Sequence, residues 1–191
     1  MARLAIADPP YYRRGERWYG NGNGDWSGNG TADVHPEAGI WDSPGAHIDL
    51  VQRLTVEYDG WAIALSPDSL ALYLAACPPD VHVMVWHRRN GMPGGNRVRR
   101  CWEPVILRQP ADRRGRGVVS MTTSDVLDAP AGRPGFAGAK PASWTRWVLD
   151  ALGYAPGADT LDDLFPGSGA VSAAADGMLA LVSGSSDRGS G

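Results

Sequence analysis

Lysine is nearly absent from this chain of 191 residues: Lys140 stands alone, and arginine supplies the remaining positive charge. Cysteine is almost as scarce. Cys77 and Cys101 have no partner cysteines at metal-ligand spacing, so neither a zinc site nor a disulfide framework is expected, and both read as ordinary buried or half-buried thiols. His82 and His87 share a strand at no metal spacing and read as structural, so no metal is expected. There is no run of about 18 apolar residues. The first residues also lack the basic stretch and apolar segment of a secretory signal. The expectation is a cytoplasmic protein that engages no membrane. Positive charge is in slight deficit, with 18 Lys+Arg against 21 Asp+Glu and a formal net charge of -3. That balance argues against a surface that grips nucleic acid over its whole extent.

What is present is a hydrophobic content of 43%, enough for one sizeable core. Residues 1–182 are read as a single domain, with 12–42 as an inserted Gly/Trp-rich loop and 183–191 as a flexible tail. The loop holds "GNGNGDWSGNG" together with Trp18, Tyr19, Trp26 and Trp41. A loop of that length inside a compact domain is usually a binding segment, and its aromatics are poor company for simple disorder. Half of the basic residues fall between Arg88 and Arg116, where the only acids are Glu103 and Asp112. This stretch is either a local phosphate-binding patch or a solvated arginine-rich hairpin.

Leu4 to Ala7 reads as a buried strand halted by Asp8-Pro9. Ser43-Pro44 then opens a helix, carried by the stripe His47, Leu50, Val51, Leu54 and Tyr58 to about Asp59. "GWAIALSP" is a second strand and "DSLALYLAAC" a second helix. "VHVMVWHR" and "RRCWEPVILR" form adjacent antiparallel strands joined through "NGMPGGN". After an irregular stretch containing "SDVLDAP", the helix "KPASWTRWVLDALG" puts Trp144, Trp147, Val148, Ala151 and Leu152 on one face and stops at Gly153. "DTLDDLFPGSGAVSAAADG" reads as a strand, a glycine turn and a helix ending near Gly177. "MLALVS" is read as one last strand. The alternation predicts a mainly parallel α/β sheet with helices on both faces, compatible with one antiparallel strand at an edge.

Two turns carry the chemistry. "IADPPYY" presents a carboxylate, a carbonyl and a flat ring just after the first strand. "DLFPGSG" sets glycines at a strand-to-helix junction, where backbone can approach a ligand and helix amides face polar groups. The second turn has neither the spacing nor the lysine of a Walker A loop, and it does not match the dinucleotide fingerprint.

With "GAKPASWTRWVL" between them, these turns resemble the motifs of amino-methylating DNA methyltransferases. "ADPPYY" is similar to the catalytic Asp-Pro-Pro-Tyr motif, "GAKPASWTRWVL" to the Lys-Pro segment, "DDLFPGSGAV" to the cofactor loop and "WEPVIL" to a later strand motif. Their order is that of the circularly permuted beta group, and the resemblance spans Leu4 to about Val182. It implies a Rossmann-like methyltransferase sheet, permuted and trimmed to about six strands, with S-adenosylmethionine as cofactor and DNA, most simply duplex DNA, as partner. It implies catalysis by Asp8, Pro9, Pro10 and Tyr11. Asp163, Phe165, Pro166, Gly167, Ser168 and Gly169 would line the cofactor, and Lys140 with Pro141 would meet its methionine end. Arg88, Arg89, Arg97, Arg99 and Arg100 are the expected nucleic-acid contacts.

In such chemistry the amino nitrogen is a poor nucleophile because its lone pair is delocalised into the ring. Hydrogen bonds to the Asp8 carboxylate and the Pro9 carbonyl favour a pyramidal nitrogen, while Tyr11 stacks on the base. Alignment of this kind is worth on the order of 7 to 11 kcal/mol. A duplex base must first be flipped out, with Tyr12, Trp18 or Trp26 as candidate stacking partners. Adenine is preferred, because cytosine enzymes more often open the motif with Ser. Glu103 reads either as a pocket carboxylate or as a surface salt-bridge partner.

Two features depart from the family pattern. No acid follows the glycine turn at the place where the ribose is usually held, and no room remains for a separate target-recognition domain. A trimmed sheet also implies stabilisation as a homodimer. The same chemistry on RNA, a nucleotide or a small amine, or a non-catalytic relative that binds cofactor or nucleic acid, are the alternative readings.

Overall fold

The computed structural model describes residues 1–19, 37–89, 97–114, 122–131, 140–167 and 169–186. From Leu4 to Ala7 the chain offers two apolar faces at once, and both are used. Strand β1 (Arg3–Ala7) sends Leu4 and Ile6 to one side of a sheet and Ala5 and Ala7 to the other, all fully buried. Burial on both faces is what an interior strand between two helical layers requires.

The Asp8-Pro9-Pro10 corner leads into the short helix α1 (Gly15–Tyr19), and a 3-10 turn spans Ala38–Asp42. The Asp42 carboxylate accepts from the amides of Gly15 at 2.8 Å and Glu16 at 3.1 Å, supplying the acceptors that a helix start lacks. The expected 12–42 loop is therefore helical at both described ends. Composition missed this because the capping residue is remote in sequence. Residues 20–36, including Trp26, lie outside the described residues.

Helix α2 (Pro44–Glu57) starts as the sequence predicts: the Ser43 hydroxyl accepts from the Gly45 amide at 3.3 Å, and Pro44 takes the first turn. Next come β2 (Gly60–Ala64), a 3-10 turn at Pro67–Ser69, α3 (Leu70–Ala76), β3 (His82–His87) and β4 (Trp102–Arg108). They are followed by β5 (Val126–Asp128), α4 (Ala142–Leu152), β6 (Thr160–Asp163) and α5 (Ala170–Ser186).

The six strands form one sheet in the order β5-β3-β4-β2-β1-β6. Only β4 runs against the rest, pairing antiparallel with both β2 and β3. It is therefore an interior strand and not an edge strand, because the return from β3 inserts between β3 and β2. The stretch "SDVLDAP", read as irregular, contributes the edge strand β5, whose three residues are too few to show a period. "MLALVS", read as a strand, is the continuation of α5, which runs through Ser186 and shortens the expected tail. A short apolar run does not distinguish strand from helix. Gly177 does not stop α5.

Two cores sandwich the sheet. Leu4, Ile6, Met84, Trp86, Val105 and Leu107 pack with α4 and α5, while Trp61, Ile63 and Ile106 pack with α2 and α3. All five residues assigned to the apolar face of α4 are buried, and Gly153 ends that helix at φ 69°. Cys77 and Cys101 are half-buried free thiols, and burial pushes Cys77 up to about 11. Among the described residues no helix is long and apolar enough to cross a membrane.

Candidate active site

β1 and β6 lie side by side in parallel, with Ile6 opposite Asp163, so the chain leaves both strands at the same edge of the sheet. One exit is the Asp8 corner and the other is the glycine turn. β4 runs the other way and enters the sheet at that edge, bringing Glu103, while β3 ends there at His87 and Arg88. Lys140 and Pro141 reach the same place at the start of α4. Five distant segments thus meet at one edge.

Their side chains form a single polar network. The Lys140 ammonium lies 2.9 and 3.0 Å from the two oxygens of Asp8, and it donates to the Tyr11 hydroxyl at 3.1 Å. Tyr11 in turn donates to Glu103 at 2.8 Å. Glu103 is also 3.5 Å from Lys140, and its other oxygen takes the Arg88 guanidinium at 2.8 Å. The rings of Tyr11, Trp144 and Trp86 surround the ammonium at 5.4, 5.8 and 6.0 Å, within cation–π range. The indole of Trp86 is fixed by its bond to the Ala129 carbonyl at 3.0 Å.

The electrostatics follow from this geometry. Burial raises the Asp8 carboxyl and the Glu103 charge adds to the rise, while Lys140 opposes both. Burial alone would lower Lys140, but Asp8, Tyr11 and Glu103 hold it well above the ordinary lysine value. It is a cation. Burial and then Glu103 push Tyr11 well up, so its hydroxyl stays protonated and able to donate.

At the neighbouring strand end, one oxygen of Asp163 accepts from the Phe165 amide at 3.3 Å. The other is buried and has no partner among the described residues. Burial raises this carboxyl, with a further contribution from Asp8. The Phe165 ring meets Trp41 edge-on at 5.1 Å, and Trp41 meets His47 at 5.3 Å. His47 bridges the Tyr73 hydroxyl at 2.6 Å and the Trp41 carbonyl at 2.7 Å, and burial lowers its imidazole. Gly167 and Gly169 have φ of 41° and 72°, the left-handed region that glycine tolerates, and a Cβ on Gly169 would meet nothing within 4 Å. Pro166 is exposed. Ser168 lies outside the described residues.

The geometry sorts the expected site residues. Asp8, Tyr11 and Lys140 converge, and Pro9 and Pro10 are buried. Lys140 has its ammonium on Asp8, although the resemblance implied a role at the methionine end of a cofactor. Tyr12 turns edge-on to His47 at 5.7 Å. The side chain of Trp18 lies outside the described residues. The arginines divide: Arg88 turns inward to Glu103, Arg89 grips Asp128 with two bonds at 2.9 and 3.1 Å, and Arg100 pairs with Asp68 at 2.7 Å. Arg97 and Arg99 are exposed.

Glu103, which by sequence fits either a pocket or a surface salt bridge, is central and 9% exposed. Trp41 as the brace of Phe165, and Trp86 beside the ammonium, were not foreseen. The signal for Glu103 was its isolation as an acid at the mouth of an apolar strand. Among the described residues no group of three or more His, Cys, Asp or Glu could hold a metal ion.

No protein-family model matches the sequence, and no curated protein matches it. Among solved structures the chain is similar to the crystal structure of the M1.HpyAVI–SAM complex, with a TM-score of 0.53, over 93% of this chain and 78% of that one. The two are 13% identical, so the likeness is one of fold. The protein has the mixed α/β, Rossmann-like methyltransferase fold that the sequence led us to expect, with six strands among the described residues, one of them antiparallel.

Proposed function

We propose that this protein transfers a methyl group from S-adenosylmethionine to the exocyclic amino nitrogen of a DNA base, with adenine preferred over cytosine, and that its sheet is the circularly permuted form. The observation that carries this reading is the parallel pairing of β1 with β6, which sets the Asp8 corner beside the Asp163–Gly167 turn. In open α/β sheets ligands bind outside the carboxyl ends of strands, and both turns leave such ends.

The turn after β6 fits a cofactor of this kind. The orphaned Asp163 oxygen needs a donor, which an amino-acid ammonium supplies. A Cβ on Gly169 would meet nothing within 4 Å, so the backbone there is open to a ligand, and the first amides of a helix such as α5 have no intrahelical acceptors. Asp163, Phe165, Gly167 and Gly169 are the described residues that would hold it, joined in chain order by Pro166 and Ser168. When bound, the group supplies an electrophilic methyl on a sulfonium.

This chain's own residues do the rest. The Asp8 carboxylate has about four lone-pair directions. Those that Lys140 leaves open accept one amino hydrogen, and the Pro9 carbonyl accepts the other. The nitrogen lone pair is thereby turned out of the ring. Tyr11, its hydroxyl held by Glu103 and Lys140, presents its face to the base. Positioning of this kind does not call for a strong base, since the transferred product is acidic and sheds its proton.

The test is methyl transfer from labelled cofactor to duplex DNA, with the modified nucleoside identified by mass. Transfer to adenine that is lost in Asp8→Ala supports the proposal. A second reading keeps the chemistry and moves it to RNA, a nucleotide or a small amine. It is favoured by the internal pairing of Arg88, Arg89 and Arg100, which leaves less charge for phosphate. Transfer confined to those acceptors would select it.

A further inference from the structure

The four charges at the sheet edge alternate in sign along a line: Arg88, Glu103, Lys140, Asp8. No link in that line exceeds 3.5 Å. We infer that Glu103, clamped by Arg88, is a positioning residue that acts on Asp8 through Lys140 and on the ring of Tyr11 through its hydroxyl. This rests on the methyl-transfer reading and assigns two of its residues a new role. Arg88 becomes part of the site's interior and leaves the set of phosphate-binding arginines.

Among the described residues the Lys140 ammonium donates to Asp8 and Tyr11 and lies 3.5 Å from Glu103. The ammonium already contacts both Asp8 oxygens, at 2.9 and 3.0 Å, and Glu103 at 3.5 Å is a second carboxylate competing for its charge. Lys140 therefore neutralises Asp8 less completely with Glu103 in place than it would alone. Without Glu103, Tyr11 would also lose the acceptor at 2.8 Å that fixes its ring. Glu103 suits the task because it sits in β4 opposite Trp86 of β3, inside a paired sheet, where its backbone has little freedom. The Arg88 guanidinium, 6.0 Å from the Trp86 ring, holds the far oxygen of Glu103 and prevents it from turning away.

Among the described residues, the groups that interact electrostatically with Asp8 are Lys140, Glu103, Tyr11, Asp163 of β6, Tyr19 of α1 and Tyr73 of α3. Of these only Lys140 favours its charged form. Removing Glu103 and removing Lys140 therefore have opposite consequences for Asp8. Glu103→Gln takes away a like charge and lets Asp8 ionise at lower pH, whereas Lys140→Met takes away the compensating cation and moves ionisation to higher pH.

The experiment measures kcat, KM and duplex Kd for wild type, Glu103→Gln, Lys140→Met, Arg88→Met and Arg88→Lys across pH and salt. In parallel, the Asp8 carboxyl is titrated by carbon NMR in the protein alone, with Asp8→Asn as the assignment control. In Glu103→Gln and Arg88→Met, kcat is expected to fall about tenfold or more, as small misplacements of reacting groups do, with duplex Kd and its salt slope unchanged. Arg88→Lys is expected to restore part of that activity. The acid limb, and the carboxyl titration with it, should shift down in Glu103→Gln and up in Lys140→Met. The inference is overturned if both variants shift the same way or not at all. It is equally overturned if Arg88→Met weakens duplex binding and its salt slope while kcat holds. Should wild type transfer methyl to no acceptor, the functional reading fails. The carboxyl titration then still decides the inference, with opposed shifts sustaining it and unmoved ones ending it.

Discussion

The amide of Leu164 donates to the carbonyl of Ile6 at 3.0 Å, tying the end of β1, just before the Asp8 corner, to the first residue after β6. This bond extends the β1–β6 ladder to the point where both chains leave the sheet. Asp8 and Asp163 are therefore near enough for the charge of one to raise the carboxyl of the other.

Asp163→Ala removes the buried oxygen that has no partner among the described residues. Calorimetric titration with S-adenosylmethionine should show affinity weakened by roughly 10-fold or more, the worth of a charge-assisted hydrogen bond of about 1.5 to 3 kcal/mol. Stability should hold or rise slightly, because a desolvated carboxylate is gone.

Charge reversal at the exposed pair Arg97 and Arg99 tests the remaining basic segment. Duplex affinity should fall, and the slope of log K against log salt should flatten by about 0.9 for each phosphate that is no longer neutralised. Unchanged binding in a filter or anisotropy titration would take this segment out of the interface.

Asp159 provides a pH handle on stability. Its side chain is fully buried, Arg113 reaches its oxygens at 2.7 and 2.8 Å, and the amides of Ala2 and Ala155 each donate to it at 2.8 Å. Burial would raise this carboxyl, but these donors bring it down to about 2. Its folded value lies below the unfolded one, so its contribution is present above about pH 4 and disappears as pH falls towards about 2. Denaturant unfolding should show a drop of about 2 kcal/mol across that window. Arg113→Met should cost about 3 to 5 kcal/mol at neutral pH and move the acid transition to higher pH.

Gly15→Ala addresses the base of the Gly/Trp-rich segment. A Cβ there would run into the Ala38 carbonyl, a backbone atom that has little room to yield. Urea unfolding should register a destabilisation of about 1 to 3 kcal/mol, the usual cost of overpacking. Since α1 also carries Tyr19 near Asp8, methyl transfer should fall with it.

Much of this was legible in the chain. Leu4–Ala7, Ser43-Pro44 and the α4 stripe announced themselves through period and capping chemistry, which are local signals. The failures share a cause as well. β5 was too short to show a period, the run after Gly177 carried no signal separating strand from helix, and the position of β4 depended on which neighbour it joined. Glu103 could not be assigned because its partners, Tyr11, Lys140 and Arg88, come from three other segments.

The sequence by itself determined which residue types were available for chemistry: a carboxylate and carbonyl on a proline-stiffened corner, a glycine turn before a helix, a lone lysine. Backbone restriction at proline and backbone freedom at glycine are properties of single residues, so they survive without a fold. Tertiary structure decided that the lysine serves Asp8, that Arg88 faces inward and that Trp41 braces Phe165. Those outcomes depend on strand order and on side chains meeting in a desolvated space, where an unpaired charge costs far more than in water and each ion must find its opposite.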